Sequence, residues 1–309
     1  MRGEKAMARR SVTRLPLLLL LSVLLTGCVY ESVRPNGLVV ILTDYGETDS
    51  YVGSLKGAMY SVFPNVRIDT VTNNVEPFDV VKGAHILAEA ASEFPAGTVF
   101  CAIVDPGVGT SRNAIVALSK DGKYFVGPDN GLLSFALDEG GVREVRKITN
   151  RRLFREQTPS STFQGRDVFG PVAARLASGL PLNRVGPRLR KYVRLELPNP
   201  NLGDNYIEGT IVYSDSYGNL TTNIDKKLLE RAGIREGAYV ELMIATLEQP
   251  GTTVRAKFVR TYAEVPEGEL LCVIDSRGRL EIAVNMGNAA HTLGVRPDAN
   301  VRVSRASTG

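Results

Sequence analysis

Asp105 and Arg112 stand seven positions apart in VDPGVGTSRNAIV, on either side of a glycine-rich turn. The apolar run TVFCAIV leads into that turn and reads as a buried strand. Asp105 then falls at the strand's C-terminal end, where open α/β sheets place their ligand crevices. Gly107 and Gly109 allow a tight turn and a close backbone approach to a ligand. A carboxylate on such a crevice, with a guanidinium in reach, can hold a polar ligand. The same pair can also be a surface ion pair of an ordinary turn.

Other strand ends and turns carry further polar residues. Leu42-Thr43-Asp44-Tyr45-Gly46 closes the first strand, and Asp44 there can accept from ligand hydroxyls or cap the next helix. Pro128-Asp129-Asn130-Gly131 has the signature of a plain turn. In Ser160 to Asp167, Gln164 faces either a cleft or the following helix, and Arg166 with Asp167 reads as a structural pair. Further on, Asp215-Ser216-Tyr217-Gly218-Asn219 is a strand followed by a turn. Tyr217 can stack on a flat ring, and Asn219 has the donors and acceptors to read a purine edge. Ser276-Arg277 can bind a carboxylate through the bidentate fork of Arg277, or be a solvated turn.

The elements that must position these residues fall into two groups. GLVVILTDYG, VRIDTVT and TVFCAIVDPG read as strands, alternating with helical patterns in YVGSLKGAMYSVFP and PFDVVKGAHILAEAASEFP. NAIVAL and KYFVGPDNG form two more strands around an Asp121-Gly122 hairpin turn. DVFGPVAARLASG is a later helix ended by Gly179. This order predicts a mostly parallel, Rossmann-like α/β domain over residues 37–192, with helices on both faces. A proline- and asparagine-rich linker, 193–207, follows. Residues 208–305 then alternate as short strands, with only KKLLERAG helical, which predicts a small all-β barrel or sandwich.

Composition bounds the function. The chain has 309 residues, 43% hydrophobic and 23% charged, with a net charge of +4. That is ordinary globular composition, and no Lys/Arg stripe interleaved with aromatics supports nucleic-acid binding. The two histidines, His85 and His291, lie far apart without ligand spacing, so no metal site is expected. His85 falls inside a helical pattern and reads as structural. Cys101 and Cys272 sit in apolar runs and read as buried thiols, a disulfide between them being compatible with an oxidising compartment.

The N-terminus reads as a targeting segment. Arg2, Lys5, Arg9, Arg10 and Arg14 precede the apolar stretch LPLLLLLSVLL, which is too short for a comfortable membrane span. Leu25-Thr26-Gly27-Cys28 resembles the bacterial lipobox. That resemblance implies a signal peptide over residues 1–27, cleavage before Cys28, lipidation of its thiol and a tether over 28–36. The mature chain is then exported and held on a membrane surface.

In chain order, TDYG, EPFDVVKGA, VDPGVGTSR, PDNGL, SSTFQGRDVFGP, DSYGNLTTNI and EIAVNMGNAA span roughly residues 38 to 304. The set resembles the S-adenosyl-L-methionine hydroxide adenosyltransferases, which hydrolyse S-adenosylmethionine and are relatives of the fluorinase and chlorinase. The resemblance implies an N-terminal α/β domain, a C-terminal β-barrel and a homotrimer whose ligand lies between neighbouring subunits. It implies no cofactor, S-adenosylmethionine itself being the substrate. By the same resemblance Asp44 holds the ribose hydroxyls and Phe78 packs near the sugar. Asp215, Tyr217 and Asn219 contact the adenine or the methionine end, and Ser276 and Arg277 hold the methionine carboxylate. Asp105 and Arg112 match two members of the hydrolases' Asp-Arg-His set around the nucleophilic water. The third differs: the usual FHGRD is Phe163-Gln164-Gly165-Arg166-Asp167 here. Glutamine can orient water but cannot accept a proton near neutral pH. Asp105 points to water rather than halide as nucleophile, since a carboxylate repels an anion in a desolvated pocket. A lipid-anchored nucleoside-binding protein with little catalysis is the other reading that Gln164 and export favour.

Overall fold

The computed structural model describes residues 33–245 and 251–306. The signal-peptide, lipobox and Cys28 expectations lie outside them. The first layer is a six-stranded sheet. Its strands are β1 (Leu38–Thr43), β2 (Arg67–Thr72), β3 (Val99–Ile103), β4 (Ala114–Ser119), β5 (Tyr124–Pro128) and β6 (Val142–Lys147), ordered β2-β1-β3-β5-β4-β6. β2, β1, β3 and β5 run parallel, and β4 turns antiparallel to both β5 and β6. The chain passes from β1 to β2 on one side and then returns to place β3 on the other. The strand order therefore reverses between β1 and β3, where doubly wound sheets open a crevice.

Helices cover both faces. α1 (Tyr51–Val62) and α4 (Gly170–Ala177) pack on one side through Leu55, Met59, Val172 and Leu176. α2 (Val80–Glu93) and α3 (Ser134–Gly140) pack on the other through Leu87, Ala91, Phe135 and Leu137. α2 begins at Asp79, whose carboxylate accepts from the Lys82 N–H at 2.8 Å and satisfies a free helix-end donor.

The predicted helix over DVFGPVAARLASG starts with a π-helical turn, Gly165–Phe169, before α4. Pro171 explains it. Proline has no N–H to give to the Asp167 carbonyl four residues back. That carbonyl instead accepts from Arg155 N at 2.9 Å, while Gly170 N donates five residues back to Gly165.

The second layer is all β. The strands are β7 (Asn201–Leu202), β8 (Tyr206–Ser214), β9 (Leu220–Asp225), β10 (Tyr239–Ala245), β11 (Thr252–Phe258), β12 (Leu270–Ile274), β13 (Arg279–Val284) and β14 (Asn300–Arg305). Pairing of β14 with β8 closes β8–β14 into a seven-stranded barrel, and β7 is added to the outside of β8. Of the barrel and sandwich alternatives, the barrel forms. The burial of β10 alternates along its length, sending Val240, Leu242 and Ile244 inward. Two short helices, α5 (Lys226–Arg231) and α6 (Ala289–Leu293), lie on the barrel. Cys101 on β3 and Cys272 on β12 are both buried free thiols, and burial pushes both above their ordinary pKa.

Candidate active site

Asp44 and Asp105 lie just beyond the C-terminal ends of β1 and β3. Those strands are adjacent and parallel, with Thr43 level with Ile103. The two carboxylates thus flank the point where strand order reverses. The turn after β1 is tied to the end of β2: Thr43 Oγ1 donates to Asn73 Oδ1 at 3.0 Å, and Gly46 N donates to the Asn73 carbonyl at 2.7 Å. Asn130, in the turn after β5, donates to the Val104 carbonyl at 2.8 Å and steadies the approach to Asp105. Its neighbour Asp129 accepts from Asn113 Nδ2 and from Val193 N, so PDNG is the structural turn its sequence predicts.

Asp105 and Arg112 pair across the glycine-rich turn. Arg112 Nε donates to Asp105 Oδ1 at 2.8 Å, and Arg112 Nη2 bonds Asp105 Oδ2. The two side chains are 6% and 11% exposed, so this is no solvated surface pair. The same Nη2 donates to Gln164 Oε1 at 2.8 Å, and Nη1 donates to the Asn113 carbonyl at 3.3 Å. The guanidinium also lies 5.2 Å from the centre of the Phe169 ring. One arginine therefore holds the acid and the glutamine together.

Gln164 comes from a fixed loop. Asp167 accepts from Ser160 N at 2.8 Å and from Arg166 through two bonds, the structural pairing read from the sequence. Phe163 packs edge-on against Tyr45 and Tyr51, with centroids 5.8 and 5.4 Å away. Gly165 must be glycine, because a Cβ there would overlap the Tyr45 hydroxyl. Burial first, then the nearby Cys101, Asp44 and Asp105, raises the Tyr45 hydroxyl far above its ordinary pKa, so it stays protonated.

These groups line a cavity of about 580 Å³. Its walls include Asp44, Phe78, Asp105 and Gln164, with Tyr45, Tyr51 and Phe163 as the aromatic side. Arg112 stands behind Asp105 and Gln164 rather than in the wall. Phe78 is 70% exposed and has φ of 71°, its N–H donating to Asp44 Oδ2 at 3.0 Å. Asp44 therefore binds the opposite rim and is not a helix cap.

The remaining expected residues lie elsewhere. Asp215, Ser276 and Arg277 line a separate cavity of about 730 Å³ between α2, the end of α3 and the barrel. Among the described residues the two cavities share no wall. Arg277 pairs with Glu139 at the end of α3. Burial raises the carboxyls of Glu89 and Glu281 in this second cavity; Asp215 and Asp275 push Glu281 further up, whereas Arg277 pulls Glu89 back. Asp215 closes the turn after β8, accepting from Tyr217 N, Asn219 N and Asn219 Nδ2 at 2.9 Å each. Among the described residues the Asn219 amide oxygen has no hydrogen-bond partner. Tyr217 is 76% exposed, and neither it nor Asn219 lines either cavity.

Residue-by-residue reading of the sequence missed Tyr51 and the aromatic side of the first cavity. Its only signal is the Tyr at the start of the helical pattern YVGSLKGAMYSV, which looks like a surface position. It missed Glu139 too, whose tie to Arg277 needs contacts across 138 positions of chain.

Residues 39–186 match the S-adenosylmethionine hydroxide adenosyltransferase N-terminal domain, and residues 209–302 match the C-terminal domain of the same family. An (R)-S-adenosyl-L-methionine hydrolase from Salinispora tropica is 39% identical over 276 residues, covering 88% of this chain and 99% of that protein. A fluorinase from an Actinoplanes species is 30% identical, covering 88% and 98%. A solved structure of a conserved protein from Thermotoga maritima superposes with a TM-score of 0.81 at 41% identity, covering 86% of this chain and all of that one. The two domain matches, in order over a sheet-plus-barrel architecture, make the chain a member of the S-adenosylmethionine hydroxide adenosyltransferase family.

Proposed function

We propose that the chain hydrolyses S-adenosyl-L-methionine to adenosine and L-methionine, by in-line attack of water at the ribose C5′. The observation that carries this is Asp105, held by Arg112 beside Gln164 and facing a cavity at the strand-order reversal. A sulfonium is already a good leaving group, so no general acid is required. The site has to align a water behind C5′ and exclude others. Asp44 suits the ribose hydroxyls and Phe78 the sugar face.

The second cavity suits the amino-acid end. Ser276 and Arg277 would take the carboxylate and Asp215 the ammonium, with Tyr217 and Asn219 beside the purine. Asp215, Ser276 and Arg277 open on one cavity of the chain and Asp105 on another. That division supports a site completed by a neighbouring copy, as in a homotrimer. The nearness of Asp105 to the attacking atom favours water over chloride or fluoride.

We further propose that Cys28 is the lipidated residue of an exported membrane lipoprotein. The described chain enters where the Val33 carbonyl accepts from the Tyr124 hydroxyl and Asn36 N donates to the Gly97 carbonyl. That is the end of the sheet opposite Asp105. Cys28→Ser is expected to move the protein from the membrane to the soluble fraction.

The deciding experiment is chromatography of purified protein incubated with each sulfonium epimer of S-adenosylmethionine, in low and in high chloride. Adenosine as the product supports hydrolysis, and 5′-chloro-5′-deoxyadenosine as the main product refutes it. Saturable adenosine binding with no turnover of either epimer favours the nucleoside-binding alternative, for which the absence of a histidine at position 164 is the motivating observation.

A further inference from the structure

We propose that Gln164 is a hydrogen-bond donor that holds the attacking water, its amide locked in one orientation by Arg112, so that the reaction runs without an imidazole base. This rests on the hydrolase reading above and assigns the proton's route within it.

The orientation follows from donor and acceptor counting. A guanidinium only donates. The Gln164 atom 2.8 Å from Arg112 Nη2 must therefore be the amide oxygen, and the opposite flip would set two donors face to face. Arg112 has no freedom to yield, being tied to both oxygens of Asp105, to the Asn113 carbonyl and to the Phe169 ring. Gln164 has little either, since it directly precedes the π-helical turn and follows the wedged Phe163. With its oxygen spent on Arg112, the amide NH2 is the end left for the cavity that Gln164 and Asp105 both line.

The cavity thus offers a donor beside an acceptor, both hung from one guanidinium. Water answers both: it accepts from Gln164 and donates to Asp105. A halide can accept from Gln164 but meets the carboxylate with nothing to give. In the reaction the water oxygen bonds to C5′ while the C5′–S bond breaks. Its electron pair returns to sulfur, leaving the neutral thioether of methionine. The oxonium so formed is a far stronger acid than a carboxyl group, so its surplus proton passes to Asp105 and then to solvent. No imidazole is needed.

The groups facing Gln164 are Asp105 and Arg112 from the β3 loop, Asp44 and Tyr45 from the β1 loop, Tyr51 from α1 and Arg166 from the π-helical turn. Neither histidine lines the cavity: His85 packs against Phe135 and Tyr213, and His291 is on α6 of the barrel. The reaction is therefore expected to show no ionisation near neutral pH.

Two measurements on the full chain test this. The first is calorimetric binding of adenosine against 5′-deoxyadenosine, because the product's 5′ oxygen is the former water oxygen. The wild type should prefer adenosine, and Gln164→Leu should lose about tenfold of that preference while binding 5′-deoxyadenosine as before. An unchanged preference in Gln164→Leu overturns the proposal. The second is the pH profile of adenosine release. It should be flat from about pH 6 to 8.5 in the wild type, with a new inflection near 6.5 in Gln164→His. A wild-type inflection in that span that persists in His291→Asn also overturns it. Absence of turnover at every pH sinks the hydrolase reading, while the binding comparison still decides whether Gln164 donates to a 5′ oxygen.

Discussion

Asp44 holds Phe78 in a left-handed backbone conformation: its Oδ2 accepts the Phe78 N–H at 3.0 Å, at a φ of 71°. A bulky residue there carries roughly 1–3 kcal/mol of strain, and the ring it presents is largely exposed at the cavity rim. Phe78→Gly relieves the strain and deletes the ring. Thermal stability should hold or rise, while adenosine affinity falls about tenfold or more. Asp44→Ala should weaken adenosine by about 10²-fold, since it removes a charged acceptor and frees the rim. Calorimetry and a melting curve on each variant check both. Equal affinity in Phe78→Gly and wild type would show that the strained ring does not touch the nucleoside.

Asp105→Asn should separate chemistry from binding. The amide keeps one acceptor oxygen but cannot take the oxonium's proton. It also leaves Arg112, 11% exposed, without its charge partner. The expected outcome is a ~10²- to 10⁴-fold loss of adenosine release. About 1–3 kcal/mol of stability should go with it, because a mostly buried cation has lost its anion. Denaturant melts and initial rates measure the two effects. Retention of most of the activity would remove Asp105 from the reaction.

The division of the expected residues between two cavities makes a mixing experiment decisive. Asp105→Asn and Arg277→Ala each disable one half of a site, and each should be inactive alone. If neighbouring copies share sites, unfolding and refolding the two together restores wild-type pairs in about a quarter of the interfaces. Adenosine release should recover to a comparable fraction. No recovery, with mixed oligomers demonstrated by mass, would place the whole site within one chain.

Much of the scaffold was legible because its signals are local. The strands before Asp44 and Asp105 are unbroken apolar runs, and Asp121-Gly122 marks the hairpin between β4 and β5. The elements left unassigned have weaker patterns. VREVRK, β6, is an edge strand full of charge, and LTTNID, β9, buries Thr221 and Thr222 between the aliphatics Leu220 and Ile224, which blurs its apolar pattern. The pairing of Asp105 with Arg112 was suggested by seven-residue spacing across a glycine turn. The tie from Arg112 to Gln164 spans 52 positions and joins the loop after β3 to the residue just before the π-helical turn. The separation of Asp105 from Arg277 is likewise a matter of where the barrel packs, and no local pattern in either segment encodes it.

His85 sets an acid limit on stability. It is buried on α2 against Phe135 and Tyr213, at 4.5 and 5.8 Å between ring centres, and among the described residues its Nε2 has no hydrogen-bond partner. Burial, helped by Arg279 and Arg277, lowers its pKa from 6.5 to about 4. The unfolded chain therefore binds a proton below about pH 6.5 that the folded chain refuses until about pH 4. This term is absent at pH 7 and above. It grows as pH falls through that window and reaches roughly 3 kcal/mol of lost stability near pH 4. Replacement by a neutral ring, His85→Phe, should leave stability near pH 7.5 within about 1–2 kcal/mol of wild type, the cost of refitting a ring of similar size. Between pH 6.5 and 4 the slope of unfolding free energy against pH should become shallower by up to about 1.4 kcal/mol per pH unit. Urea melts across that range measure it, and parallel curves for the two proteins would show that His85 takes up its proton equally in the folded and unfolded states.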